Sequence, residues 1–143
     1  MAATIETSIW LAIKAHVETL PLAYPKAWAG QKFTPPSGGV PAMPLPYLRI
    51  GRVTANPSRM FIGDGKPYDR NGFIIITLVY PLGQDQAVYD QIAGQIAEHF
   101  SDTTKMPMNG LCVSVPSYPH IVEGYEDNGF WSVPVRVPWR VFA

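Results

Sequence analysis

The chain has 143 residues, with 11 Lys and Arg against 11 Asp and Glu, so its formal net charge is zero; 47% of residues are hydrophobic and only 15% are charged. No basic block offers phosphate neutralisation, no run approaches the ~18–20 apolar residues of a membrane span, and the N-terminus lacks the basic region and apolar core of a signal peptide. Cys112 is alone, which excludes an intrachain disulfide or a Cys-based metal site and fits a reducing cytoplasm. One domain is the default at this length. Ordinary soluble chains carry roughly 25% charged residues. The sparse charge here points to a surface part-covered by another protein, or only to one rich in Pro, Ser, Thr, Asn and Gln.

Ile5, Ile9, Ala12, Ile13, His16, Val17 and Leu20 form one helical stripe. A first helix is predicted from Thr4 to Leu20, capped by Thr4 or Thr7 and stopped by Pro21. Tyr24 to Trp28 can hold a short strand. From Gly30 to Pro46 the chain is dense in Gly and Pro and no periodicity survives, so this segment reads as an irregular binding arm or a surface loop. Tyr47 to Thr54 alternates as a strand, with Leu48 and Ile50 on one face and Arg49 and Gly51 on the other. Arg59 to Ile62 reads as another strand. Asp64-Gly65 and Asn71-Gly72 are tight-turn signals, and Lys66 to Arg70 between them reads as a polar loop tip.

Phe73 to Tyr80 is apolar at both parities, which predicts a central strand covered on both faces. Helices cover one face, and the subunit's own loops or a neighbouring subunit cover the other. Val88, Ile92, Ile96 and Phe100 make the stripe of a second helix that starts near Gln84 or Asp85. Leu111, Val113 and Val115 form a strand after an Asn109-Gly110 turn. Pro119 to Tyr125 forms another, and Asp127-Asn128-Gly129 turns into the last strand. Strand, helix and strand from Phe73 to Val115 form a possible crossover unit; the remaining pairings are predicted to be hairpins.

In that last strand Trp131, Val133, Val135, Val137, Trp139 and Val141 share one face, and Ser132, Pro134, Arg136, Pro138 and Arg140 share the other. Residues of one parity send their N–H groups to one lateral side, and proline has none. Pro134 and Pro138 therefore deprive one side of two donors, which predicts a sheet edge protected by proline and arginine. The fold class is α+β: a mostly antiparallel sheet, two α-helices on one face and a terminal β-hairpin.

Candidate chemistry is thin. His16 lies on the apolar stripe of the first helix, and a core or interface role accounts for it. His99 ends the second helix, where a cation complements the helix dipole. His120 stands near Glu123, and one His with one carboxylate is not a metal set. Gly63-Asp64-Gly65-Lys66 lacks the phosphate-loop spacing, and Asp64, Asp69 and Asn71 lack the EF-hand pattern. Glu123, Glu126 and Asp127 read as a solvated turn rather than an acid–base pair. Cys112, opposite in parity to its apolar neighbours, has no evident activating base. No catalytic residue, cofactor or metal is predicted. Arg136 and Arg140, roughly 13 Å apart along one strand face, can meet carboxylates of a neighbour or keep the strand soluble.

Leu48-Arg49-Ile50, Asn56-Pro57-Ser58-Arg59, Ile62-Gly63-Asp64-Gly65, Arg70-Asn71-Gly72 with the apolar run after it, Val79-Tyr80-Pro81-Leu82-Gly83 and Ala97-Glu98-His99-Phe100 together resemble the tail terminator proteins of long-tailed bacteriophages. The short first helix and the terminal hairpin fit the same family. The resemblance implies a single domain over residues 1–143 with 30–46 as its arm. It implies no enzyme, but a structural virion protein assembled in the host bacterial cytoplasm. Its partners are implied to be itself in a hexameric ring, the tail tube protein and a head-completion or neck protein, with DNA only as passing cargo and no membrane. The ring stops tube growth and offers a head-joining surface at the head-proximal end of the tail. Ring closure needs two different patches that match head to tail. The charged residues assigned here to such interfaces are Arg49, Lys66, Asp69, Arg70, Arg136 and Arg140. A neck or head-completion protein is the nearest rival and differs in virion position. A small-ligand module would show an enclosed apolar pocket in a monomer. A small hydrolase would lose activity on replacing a His or carboxylate.

Overall fold

The computed structural model describes residues 4–38, 43–55, 57–59 and 68–143. Helix α1 runs Ile5–Glu18, and the Thr4 side chain accepts from Thr7 N–H at its start. Helix α2 runs Gln86–His99, capped in the same way by Asp85 on Ala87 N–H. Strands β1 (Lys26–Trp28), β4 (Tyr47–Thr54), β5 (Ser58–Arg59), β6 (Tyr68–Pro81), β7 (Lys105–Met108), β8 (Leu111–Ser114), β9 (His120–Ile121), β10 (Tyr125–Asp127) and β11 (Phe130–Phe142) form one nine-stranded sheet. Its main path is β1-β4-β6-β11-β8-β7. Strands β2 (Ser37–Gly38) and β3 (Met43–Pro44) pair separately. The fold is α+β, as the sequence patterns predict.

Period-two alternation sets the two faces. Ile74, Ile76 and Leu78 of β6 pair with Val137, Val135 and Val133 of β11, and Ile76 and Leu78 also pair with Ile50 and Leu48 of β4. These side chains are buried with Ile9, Ala12, Ile13 and Val17 of α1 and Ile92, Ala93, Ile96 and Ala97 of α2 in one core. Each fully buried Val, Leu or Ile contributes about 1.5–3 kcal/mol. Both helices therefore lie on one face of the sheet. β6 and β8 flank β11 and run antiparallel to it, so they are parallel to each other and α2 makes the crossover between them.

The parity reading of β11 holds, but its conclusion changes. Pro134 O accepts Val122 N–H at 2.8 Å, so Pro134 and the even residues face away from β6. The donors that proline lacks are missing from that side alone, and the ladder to β6 runs unbroken from Phe130 to Phe142. The deprived side is not an edge. It is covered in three short pieces: β10 on Phe130–Ser132, β9 on Val135 and Arg136, and β8 on Arg140.

Other expectations change too. Asn71-Gly72 is not a turn, because β6 begins at Tyr68 and runs through it. Gly72 is needed for close approach: a Cβ there would stand 2.2 Å from Val53 O and 3.0 Å from Trp139 Cζ2. The pairing of β1 with β4 is parallel, not a hairpin. The arm, read as irregular, contains the antiparallel β2–β3 pair, closed by Leu45 N–H on Pro36 O. The single strand expected over Pro119–Tyr125 splits into β9 and β10, and β7 has no sequence signal of its own, since Pro107 breaks its pattern. The expected strand Arg59–Ile62 appears as Ser58–Arg59, with 60–62 outside the described residues. The Asn109-Gly110 and Asn128-Gly129 turns have positive φ at both residues, the type I′ geometry that asparagine and glycine allow.

His16 and His99 meet where the two helices end. His16 Nε2 donates to His99 O at 2.8 Å and His99 Nε2 donates to His16 O at 2.9 Å, with the rings stacked at 4.3 Å. Burial pushes His99 below its ordinary pKa; its bond to His16 O opposes this and the nearby His16 ring adds to it. His99 thus acts as a neutral N–H donor that ties the helices together, not as a cation on a helix dipole.

Candidate functional site

The face of the sheet opposite the helices carries most of the residues singled out from sequence. Its rows follow the strand register. Gly51, Ile75, Arg136 and His120 lie side by side, as do Val53, Phe73 and Pro138. Arg49, Thr77 and Pro134 form the next row, and Tyr47, Val79, Ser132 and Tyr125 the one beyond. That last row is closed: Phe33 packs on Tyr47 at 5.0 Å, Tyr47 meets Phe130 at 6.1 Å, and Val79 and Ser132 are buried. The opposite end is open, with Phe73 38%, Phe142 50% and Val53 53% exposed.

Arg49 and Arg136 are both exposed on this face. The Arg136 guanidinium stands 5.3 Å from the Phe73 ring centre and has no carboxylate partner among the described residues. Arg140 behaves differently. Its Nε and Nη2 donate to both Asp69 oxygens at 2.9 and 2.5 Å, a two-pronged pair across β6 and β11. Arg140 holds the Asp69 carboxyl below the usual carboxylate range, and Asp69 raises Arg140 in turn. Among the described residues, the two arginines expected to act alike on this face therefore differ: Arg136 has no carboxylate partner and Arg140 is paired within the subunit.

Asp69 and Arg70 are strand residues, not a loop tip, and their opposite parity separates them. Arg70 turns to the helix side, where Nη1 donates to Glu6 at 2.6 Å and Nε to Ala143 O at 3.1 Å. Its side chain is only 13% exposed, so it fastens α1 and the chain's last residue to β6. Lys66 lies outside the described residues. The structure thus brings Arg49, Asp69, Arg136 and Arg140 to one face and takes Arg70 away from it.

Sequence reasoning passed over Arg52. It stands over the Trp10 ring at 5.3 Å, and Trp10 meets Trp28 edge-on at 5.9 Å. Arg52 also borders a cavity of about 330 Å³ with Glu6, Ile9, Thr54, Arg70 and Trp139. Two tryptophans and a cation spaced along separate elements give no local motif, so only the fold reveals the cluster. Among the described residues no three His, Cys, Asp or Glu side chains converge as a metal set, and Cys112 is exposed as its parity predicts.

The phage tail terminator protein family model matches residues 8–139, from within α1 to within β11. No protein of curated function matches. A solved structure whose name carries no functional description is similar at 25% identity and a TM-score of 0.67, covering 92% of this chain and 94% of that one. The sequence motifs, the α+β architecture and the match from the first helix to the last strand agree, and the chain belongs to the phage tail terminator protein family, a family of structural virion components.

Proposed function

We propose that this chain acts as one domain that assembles, without catalysis, into a ring of about six copies on the end of a completed tail tube. The ring blocks addition of further tube subunits and presents its other surface to a head-completion or neck protein, while DNA passes through as cargo. The observation that carries this reading is the family match over residues 8–139. The half-open sheet face supports it, because an apolar surface rimmed by the exposed Arg49 and Arg136, which form no ion pair among the described residues, suits a protein neighbour.

Within this reading the interface residues divide by what already holds them. Arg49 and Arg136 offer charge directly to a neighbour. Asp69 and Arg140 contribute as a preassembled pair, and Arg70 shapes the surface by fixing α1. Lys66 remains a proposed contact on its charge alone. The arm, at the closed end of the sheet, supplies a further contact.

Electron microscopy of purified protein mixed with tail tubes tests this. One ring should sit on one end of each tube, and tubes grown in its presence should stop lengthening. Tubes that stay uncapped and keep growing at saturating protein would overturn the reading. A chain lacking Gly38 to Pro44 is expected to fold but to cap tubes less efficiently.

A further inference from the structure

Two stretches of strand edge carry main-chain groups with no partner among the described residues, and they bear opposite charge. The first belongs to β4. Leu48 N–H donates to Pro25 O at 2.9 Å, so the even residues of β4 aim N–H and C=O away from β6. β1 occupies that side only along Leu48, Arg49 and Ile50. Arg52 and Thr54 then face outward with no described strand beside them, and the Arg52 guanidinium has no carboxylate partner among the described residues.

The second stretch belongs to β10. Asp127 pairs with Phe130 across the two-residue turn, and Tyr125 pairs with Ser132. Phe130 and Ser132 share the parity of Pro134, which faces this side. Tyr125 and Asp127 therefore bond to β11, and Glu126 turns its N–H and C=O outward. Glu123, Glu126 and Asp127 are exposed and form no ion pair among the described residues. The turn that looked merely solvated is thus an acidic strand edge.

The terminal strand at the far side of the sheet, β7, is guarded. Thr104 O accepts from Val115 N–H, so the even residues there face β8, and Lys105 and Pro107 face out. Pro107 has no N–H to give, and Lys105 adds charge. β7 thus blocks its own boundary, whereas the β4 and β10 stretches stay available among the described residues.

We propose that the acidic β10 edge of one copy pairs with the basic Arg52–Thr54 edge of the next, so that the sheet continues from subunit to subunit. This rests on the ring reading and names the surfaces that would build it. β10 runs parallel to β6 and so antiparallel to β4, which makes the joint an antiparallel ladder. The two edges lie on opposite lateral sides of the sheet, so the contact is heterologous and repeats head to tail. They are also offset. Tyr125 lies level with Tyr47 through Ser132 and Val79, and Thr54 lies further along β4 by roughly 23 Å at ~3.3 Å per residue. Successive sheets are then staggered, as strands must be when a sheet curls closed. Opposite charge sets the order of copies and disfavours like-to-like pairing.

In a Cys112→Ser background, Thr54→Cys and Glu126→Cys proteins are mixed on tail tubes under mild oxidation. Covalent dimers are expected between unlike variants and not within either one alone. In parallel, Glu126→Arg and Arg52→Glu are each expected to weaken tube capping at least tenfold, and the double exchange to recover most of it, with unfolding midpoints verifying that each variant folds. Rings that form without the unlike cross-link and tolerate both single reversals would overturn the edge pairing and leave the ring reading standing. A cross-link within the Glu126→Cys protein alone also overturns it, because it reports a two-fold contact. Failure of the unmodified protein to form rings on tubes overturns both.

Discussion

Val135 and Arg136 are neighbours in one strand and meet opposite conditions. Val135 points into the helix-covered core beside Ile76. Arg136 points to the other face, over a half-exposed Phe73, with solvent beyond. The helix side of the sheet is finished: residues of β4, β6, β11 and both helices close a single buried cluster. The other side is finished only at the end where Phe33, Tyr47 and Phe130 gather. Strand alternation fixes which residues share a face, but what covers that face decides whether they are core or surface. A tail component that docks on protein neighbours has reason to leave one face part-covered.

The most severe way to break this comparison is to place the same charge on both sides. Val135→Asp buries an unpaired carboxylate under two helices and should cost about 3–5 kcal/mol, a large part of the stability of a domain this size. Arg136→Asp, one residue on, should change stability by about 0.5 kcal/mol or less and yet weaken tube capping. Denaturant unfolding of the two proteins, followed by a capping assay on Arg136→Asp, separates the roles. Equal losses of stability would show that the outer face is as tightly built as the inner one.

Gly72 tests the geometry between the faces. Sequence alone reads Asn71-Gly72 as a turn, since that dipeptide commonly makes one. In the fold its missing Cβ lets β4 and Trp139 close on β6. Gly72→Ala should therefore cost about 2–3 kcal/mol by overpacking against main chain that cannot yield. A loss under ~0.5 kcal/mol would mean the strands can part there cheaply. The same residue shows what a sequence reveals. Both helices and the faces of β4 and β11 were legible, because periodicity is a local signal, while the caps were narrowed only to Thr4 or Thr7 and to a start near Gln84 or Asp85. The turn at Asn128-Gly129 was legible for the same reason. The fate of β11's second side, the Arg140–Asp69 pair and the His16–His99 tie were not. Each depends on residues roughly 15 to 80 positions apart, which only topology brings together.

His99 sharpens the comparison from the helix side. Its folded pKa lies below the ordinary histidine value near 6.5, chiefly because of burial. The unfolded chain therefore binds more protons as pH falls through about 6.5, so stability is full above that point and declines toward the folded pKa. A positive charge on the His99 ring, stacked on His16 at 4.3 Å, would also loosen the joint. Thermal melts at pH 7.5 and 5.5 should show a larger drop for the unmodified protein than for His99→Gln, which keeps an N–H donor for His16 O but does not titrate. Parallel pH dependence in the two proteins would remove the helix tie as the cause.

The smallest effect belongs to the outer face. Asp69 is held ionised mainly by the Arg140 hydrogen bonds, against a smaller desolvation cost. Its folded pKa is depressed, so its contribution is complete above the unfolded carboxylate value near 3.9 and fades as pH falls through the folded one. A solvent-exposed pair is screened, so Arg140→Gln should barely move the unfolding midpoint at neutral pH, and less still in high salt. The local titration should move clearly: NMR of the Asp69 carboxyl should return it toward the ordinary carboxylate range in Arg140→Gln and leave it low in Arg136→Gln. An Asp69 titration unaffected by Arg140→Gln would mean that the pair is not closed in solution. Arg140 would then stand beside Arg136 on the outer face as a second arginine without a carboxylate partner among the described residues.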